Sequence, residues 1–357
     1  LVKTKAVILS GGKGTRLRPI THTGAKQLVP IANKPILFYG IEAIRDAGIS
    51  DIGIVVGDTA SEIKAAVGDG SKFGVRAVYI QQEAPLGLAH AVKISRDFVG
   101  ADRFIVYLGD NLIIDGIKDF VRRFEANRPN CQILLAHVPN PQDFGVAELD
   151  GSRVARLVEK PKQPKSDLAL VGVYMFDANV FEAADNIKPS WRDELEITDA
   201  IQYLIDKDFG VECQIISGWW KDTGKLEDML EANRMLLGRL DKRIEGKVDD
   251  RSRIDGSLVL EKGSEVVNSV LRGPLIVGER SKIIDSYVGP FSSVYYDVEI
   301  RGSEIEHSIV LEGSRIIDVG RRIESSLVGK NVVIEKHDKP PKAYRFMVGD
   351  YSRIELE

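Results

Sequence analysis

The sequence predicts an α/β chain in two parts: a mostly parallel sheet covered by helices over residues 1–240, then a parallel β-helix over residues 255–357. Three observations predict it. Short β-branched runs alternate with helical stretches through the first two-thirds of the chain, and a glycine-rich loop follows the first of those runs. After residue 240 helical periodicity stops, and short Val/Ile/Leu units recur with Gly, Ser and Asn at their corners.

The predicted strands cover residues 6–9, 52–56, 75–80, 104–108, 133–138 and 211–216. Between them, residues 35–47 and 88–98 space apolar side chains at three and four, and Pro35 stands where a first-turn proline is tolerated. This is βαβ patterning, so most strands should run parallel and ligands should bind beyond their carboxyl ends. The loops after Leu9, Ile80 and Leu108 are therefore the candidate site. A last helix is expected over 225–240, where Leu226, Met229, Leu230, Met235, Leu236, Leu237 and Leu240 form an apolar face. The charged stretch 241–254 reads as a linker. Beyond it, units such as Ile276-Val277-Gly278 and Leu327-Val328-Gly329 bring an inward aliphatic round about every six positions, as in a hexapeptide β-helix. An antiparallel sandwich of short strands is the alternative. The tail 337–357, with Pro340-Pro341, is expected to fold back.

Composition excludes several classes. The chain has 357 residues, with 49 Lys plus Arg against 53 Asp plus Glu, for a formal charge of −4. No broad cationic field exists to hold nucleic acid or an acidic membrane surface. Cys131 and Cys213 are the only cysteines, so a disulfide framework and a four-cysteine zinc site are both excluded. The first ten residues carry only a short apolar core, residues 6–9, too short for a signal peptide, and no run reaches the roughly 18 apolar residues of a membrane span. The expectation is a cytoplasmic protein.

The most informative segment is Leu9-Ser10-Gly11-Gly12-Lys13-Gly14-Thr15-Arg16-Leu17-Arg18-Pro19. Glycines let the backbone turn N–H groups onto phosphate oxygens, and Lys13 and Arg16 add charge. It is neither a Walker loop nor a dinucleotide fingerprint, because the Gly-Lys-Ser/Thr and the third glycine are missing. A tight strand-to-helix turn would explain the glycines alone. Further motifs follow in order: Lys26-Gln27-Leu28-Val29-Pro30, Gln82 with Gly87-Leu88-Ala89, Gly109-Asp110-Asn111, Phe144-Gly145-Val146 and Glu159-Lys160-Pro161. Glu194-Leu195-Glu196-Ile197-Thr198-Asp199 and Trp220-Lys221-Asp222-Thr223-Gly224 complete the set. Together they make residues 3 to about 236 resemble the sugar-1-phosphate nucleotidylyltransferase family. Within it, Lys26-Gln27, the Gly-Asp-Asn and the Glu-Leu-Glu-Ile-Thr-Asp run are similar to glucose-1-phosphate thymidylyltransferases. The carboxy-terminal repeat resembles the long form, whose Rossmann-like domain is followed by a left-handed β-helix.

The resemblance implies in-line attack of glucose 1-phosphate on the α-phosphorus of dTTP, giving dTDP-glucose and pyrophosphate. A phosphate monoester is mostly dianionic at neutral pH, so no general base is required, and His22, His90, His137, His307 and His337 are poor catalytic candidates. The need is for cations and for Mg²⁺ held by carboxylates. The resemblance gives Asp110 and Asp222 as metal ligands; on their own they read equally as a turn residue and a helix N-cap. Arg16, Lys26 and Lys160 are the implied catalytic cations, Arg16 suited to a bidentate grip on the triphosphate and Lys26 to a point charge.

The implied nucleotide site is Leu9, Gly11, Gly12, Gly14, Thr15, Arg16, Lys26, Gln27, Gln82, Gly87 and Asp110, with Gln82 reading the pyrimidine edge. Leu86 stands where short forms usually carry Asp, which leaves UTP open beside dTTP. The implied sugar-phosphate site is Gly145, Glu159, Lys160, Leu170, Tyr174 and Arg192, and Tyr174 reads equally as a core tyrosine. Another sugar 1-phosphate, or a non-catalytic regulatory homologue, remain alternatives. In the repeat region only His307 could act as a base, so an assembly scaffold is expected there, with Phe291, Tyr295 and Tyr296 as interface anchors and a homodimer or homotetramer as product.

Overall fold

The computed structural model describes residues 4–12, 14–216, 218–340 and 343–356; Lys13 and Pro341 lie outside the described residues. The chain divides into two compact units that interleave in sequence. The first comprises residues 1–13, 25–28 and 36–222, and the second residues 14–24, 29–35 and 223–357.

In the first unit a nine-stranded sheet places the strand Lys5–Ser10 between Phe104–Leu108 and Asp51–Val56, with Arg76–Gln81 outermost, all parallel. These four are the predicted strands to within a residue or two; the β-branched residues of the first three are buried on both faces, as a covered parallel sheet requires, while those of the outermost Arg76–Gln81 are half-buried. The other half of the sheet departs from the expectation. Leu168–Phe176 runs antiparallel to Phe104–Leu108 and to Cys131–His137, and the hairpin Gly145–Asp150 with Arg153–Glu159 extends the sheet. All nine residues of Leu168–Phe176 are buried, so the strand shows no alternation from which a direction or a face could be read. Helix Ile36–Asp46 forms as expected, whereas residues 88–98 split into Leu88–Ile94 and Arg96–Val99 at buried Ser95, whose hydroxyl donates to Ala91 O at 2.8 Å.

In the second unit every strand pair between Arg243 and Glu335 is parallel, which excludes the antiparallel sandwich. Three stacked sheets of six, six and five strands form the faces of a solenoid consistent with the left-handed β-helix. Leu258, Leu260, Leu271, Val277, Ile283 and Ile300 fill its interior. Stretch 241–254, expected as a linker, already carries strands Arg243–Ile244 and Lys247–Val248; its charges belong to an exposed end coil, where they guard an open edge.

Successive coils are offset by 16 to 18 residues, and in the middle coils serines keep the step at 17: Ser286 N–H donates to Ser269 Oγ at 3.1 Å and Ser303 N–H to Ser286 Oγ at 3.2 Å. One residue before each serine, Asn268, Asp285 and Gly302 take positive φ (45°, 48° and 55°), the left-handed corner that Asn, Asp and Gly adopt most readily. Helix Leu226–Leu237 packs with this unit, where Leu237, Ala32, Val259, Ile276 and Phe291 form one cluster. Phe291, expected as an interface anchor, is thus used within the chain. No helix of the described chain is long and apolar enough to cross a membrane.

Candidate active site

Three loops at the carboxyl ends of neighbouring parallel strands lie where the βαβ pattern placed the site. Gly11 follows Lys5–Ser10, Asp110 follows Phe104–Leu108, and Gln82 follows Arg76–Gln81. The first two are tied by Gly109 N–H donating to Leu9 O at 2.9 Å. The Cβ position of Gly11 falls 2.9 Å from Gln82 Oε1, so the glycine loop and the amide touch and any side chain at Gly11 would displace the amide. Gln82 Nε2 also lies 3.1 Å from His90 Nδ1 and 3.4 Å from Gly87 O.

Gly87 has φ 102°, and a Cβ there would fall 2.4 Å from Leu195 O, a position open only to glycine. Leu195 N–H in turn donates to Leu86 O at 2.8 Å. The Gln82–Gly87 loop is therefore strapped to the Glu-Leu-Glu-Ile-Thr-Asp run. Leu86 itself is 44% exposed.

Lys26 is 6% exposed, and its Nζ lies 2.6 Å from Asp110 Oδ2 and 3.7 Å from Asp222 Oδ1. Burial raises the Asp110 carboxyl, but the Lys26 charge, the Lys26 hydrogen bond and the Asn111 amide together hold it below the usual carboxylate range. The two carboxylates meet because strands Asn111–Ile113 and Trp220–Asp222 pair antiparallel, with Asp222 opposite Asn111. Asp222 is not a helix cap: that position belongs to Lys225, whose N–H donates to Asp228 Oδ2. Gln27, beside Lys26, is 3% exposed, and its Oε1 is a buried acceptor for which the described residues supply no donor. A buried acceptor left this way marks a place for a ligand donor.

The donor set fits a hard divalent cation of the Mg²⁺ kind. Two carboxylates already gather round a positive charge. Among the described residues no cluster of three or more His, Cys, Asp or Glu could hold a metal. A cation here would complete its shell with water and phosphate oxygens, the usual habit of Mg²⁺.

A second constellation adjoins the first. The Cβ position of Gly145 falls 2.6 Å from Thr198 Cγ2, 2.8 Å from Leu170 Cδ1 and 3.2 Å from Glu159 Oε2. Thr198 Oγ1 donates to Glu159 Oε2 at 3.3 Å. Burial first, then the charge of Glu196, push the Glu159 carboxyl above the usual range against the pull of Lys160 and Arg192. Arg192 is held by three carboxylates, 2.9 Å from Glu194, 3.5 Å from Glu159 and 3.6 Å from Glu196. Lys160 sits at φ 43°, its N–H donating to Phe144 O at 3.0 Å, while the Phe144 ring lies 5.6 Å from that of Trp220. Tyr174 is buried and its ring stacks on that of Phe176.

Gly14, Thr15 and Arg16 group with the second unit, and Gly12, Thr15 and Arg16 are exposed. Sequence reasoning missed Thr198, Glu194 and Glu196 as partners and Trp220 as a tether, although all four stand inside quoted motifs.

The Nucleotidyl transferase family matches residues 5–239, a span that contains every residue of both constellations. The chain belongs to the nucleotidyl transferase family. It is 56% identical over 353 residues to a glucose-1-phosphate thymidylyltransferase of Streptomyces griseus, covering 99% of each chain. A low-salt glycan biosynthesis nucleotidyltransferase of Haloferax volcanii is 45% identical over 357 residues, covering 99% of this chain and all of the relative. Among solved structures, one described as a Bacillus anthracis glucose-1-phosphate thymidylyltransferase in complex with sucrose is 35% identical. It aligns with a TM-score of 0.63 over 67% of this chain and 97% of its own. In this nucleotidyl transferase the buried Lys26 lies against Asp110 and Asp222, and Asp110 and Gly11 follow neighbouring parallel strands.

Proposed function

We propose that the protein transfers a deoxythymidylyl group from dTTP to glucose 1-phosphate, giving dTDP-glucose and pyrophosphate. The observation that carries this reading is the convergence of Lys26, Asp110 and Asp222 on one point, with Gly11 and Gln82 in contact at the ends of strands of the same sheet. The full-length likeness to glucose-1-phosphate thymidylyltransferases supports the choice of substrates.

In this reading the glycine-loop amides and Arg16 grip the triphosphate, Lys26 meets its charge, and Gln82 with the Gly87 backbone reads the pyrimidine. Glu159 accepts hydrogen bonds from sugar hydroxyls, and Lys160 holds the sugar phosphate. Arg192, surrounded by Glu159, Glu194 and Glu196, serves to fix Glu159. Asp110 and Asp222 would hold Mg²⁺, which when bound screens phosphate charge and stabilises the leaving pyrophosphate. No proton need be removed from the attacking phosphate, so the protein's contribution is alignment and charge. We assign the catalytic part to residues 1–240, assembly into a homodimer or homotetramer to the β-helix, and the site of action to the cytoplasm.

Pyrophosphate release, measured across a panel of triphosphates and sugar 1-phosphates with and without Mg²⁺, tests the reading. Fastest release with dTTP and glucose 1-phosphate is expected. Preference for UTP or for another sugar would redirect the assignment, and no release with any pair would favour a nucleotide-sugar-binding regulator. Sedimentation of the full chain reads the assembly.

A further inference from the structure

The short turn that carries Arg16 is built into the second unit from three sides. Thr15–Leu17 is closed by Leu17 N–H donating to Gly14 O at 3.0 Å and Arg18 N–H to Thr15 O at 3.4 Å, and Thr21 Oγ1 donates to Gly14 O at 2.7 Å. Two residues on, Ile20 Cδ1 stands 3.2 Å from the Cβ position of Gly329, in the last coil of the β-helix. The carboxy-terminal tail then returns to the same turn. The Arg18 guanidinium carbon lies 5.5 Å from the centroid of the Tyr351 ring, and the His22 ring lies 5.8 Å from it. Tyr351 holds φ 66° in a turn closed by Ser352 N–H donating to Gly349 O at 3.4 Å.

We propose that Tyr351 and the final coil position the Arg16 turn, making the β-helix and its tail a determinant of triphosphate binding as well as a scaffold. The link runs through Arg18: its side chain is held by the Tyr351 ring while its backbone N–H closes the turn bearing Arg16. Tyr351 is 69% exposed and acts through Arg18, so it is a positioning residue. The kinetic part of the proposal rests on the reading of Arg16 as the triphosphate grip. The structural part does not.

The test uses the full chain with Tyr351→Ala and Tyr351→Phe. Ring packing and cation–π attraction need no hydroxyl, so Tyr351→Phe should resemble the parent in both measurements below. In Tyr351→Ala, amide hydrogen exchange over residues 14–23 should accelerate. KM for dTTP should rise about two- to fivefold, the worth of one exposed cation–π contact, while KM for glucose 1-phosphate stays unchanged. Unaltered exchange over 14–23, or equal rises in both KM values, would overturn the proposal. Faster exchange with an unchanged KM for dTTP would also overturn it, while leaving dTTP turnover by the parent, and hence the proposed function, intact. If the parent turns over no triphosphate at all, the functional reading fails and the exchange result alone decides whether the tail orders the turn.

Discussion

The indole N–H of Trp220 donates to Asn111 Oδ1 at 2.6 Å, tying together the two short strands that carry Asp222 and follow Asp110. Trp220 and Asp222 lie two apart on one strand and so share a face, which makes the indole a gauge of where Asp222 stands. Trp220→Phe should keep the ring's contact with Phe144 but lose the donor. A net hydrogen bond of about 0.5–1.5 kcal/mol corresponds to a drop of roughly two- to tenfold in kcat/KM. The Mg²⁺ concentration for half-maximal turnover should rise with it; a variant with unchanged Mg²⁺ dependence would show that the tether does not set the carboxylate pair.

Replacing either carboxylate should be far more damaging. Asp110→Asn and Asp222→Asn keep shape and remove charge, and loss of one preorganised charge contact in such a site costs roughly 10²–10³ in rate. Circular dichroism would establish that the fold is retained. Near-normal turnover of Asp222→Asn at low Mg²⁺ would remove Asp222 from the proposed metal site.

Lys160 and Arg16 are expected to separate by substrate. Lys160→Ala should chiefly raise KM for glucose 1-phosphate, and Arg16→Ala should chiefly weaken dTTP use. Identical kinetic profiles for the two variants would contradict the division of roles.

The Glu159 carboxyl, raised by burial and by Glu196, gives a pH signature. Because its folded value is raised, it takes up its proton on acidification before ordinary carboxylates do. Glucose 1-phosphate use should therefore weaken at the upper edge of the carboxylate range as pH falls. The sugar phosphate itself titrates near pH 6, roughly, so the comparison is with Glu159→Gln, whose profile should keep only that phosphate step. Superimposable profiles would mean Glu159 does not contribute as an ionised acceptor.

Stability of the β-helix should depend on its serine rows. Ser286→Ala strips the acceptor from Ser303 N–H inside a corner, and a buried group left unsatisfied costs about 1–3 kcal/mol. Calorimetry should show the solenoid transition moving to lower temperature, and an unmoved transition would mean water replaces the hydroxyl.

Much of the fold was legible because covered parallel strands are written as β-branched runs between amphipathic helices, as at 52–56 and 104–108. Direction was not. Leu168–Phe176 is apolar throughout and reads the same either way, and Arg153–Glu159 hides its two buried positions among charges at the sheet edge. The site residues were legible through ordered motifs, since Asp110 and Asp222 are 112 positions apart and only strand pairing brings them to one lysine. The carboxylates round Arg192 escaped notice because sequence spacing does not tell which charges a chain reversal will bring together. The tail was expected to fold back; its Phe346, Met347 and Val348 are exposed, and it is Tyr351 that makes the return contact.

The interleaving of the two units carries a consequence for how the protein is made. Residues 14–24 are synthesised roughly 300 residues before their partners Gly329 and Tyr351. At roughly 5–20 residues per second, the Arg16 turn waits on the order of a quarter-minute to a minute for the contacts that close it. A nascent chain can assemble the parallel sheet early, but the Arg16 turn is completed only after Gly329 and Tyr351 have been made. A message truncated within the repeat would therefore yield a sheet whose Arg16 turn lacks the contacts of Gly329 and Tyr351.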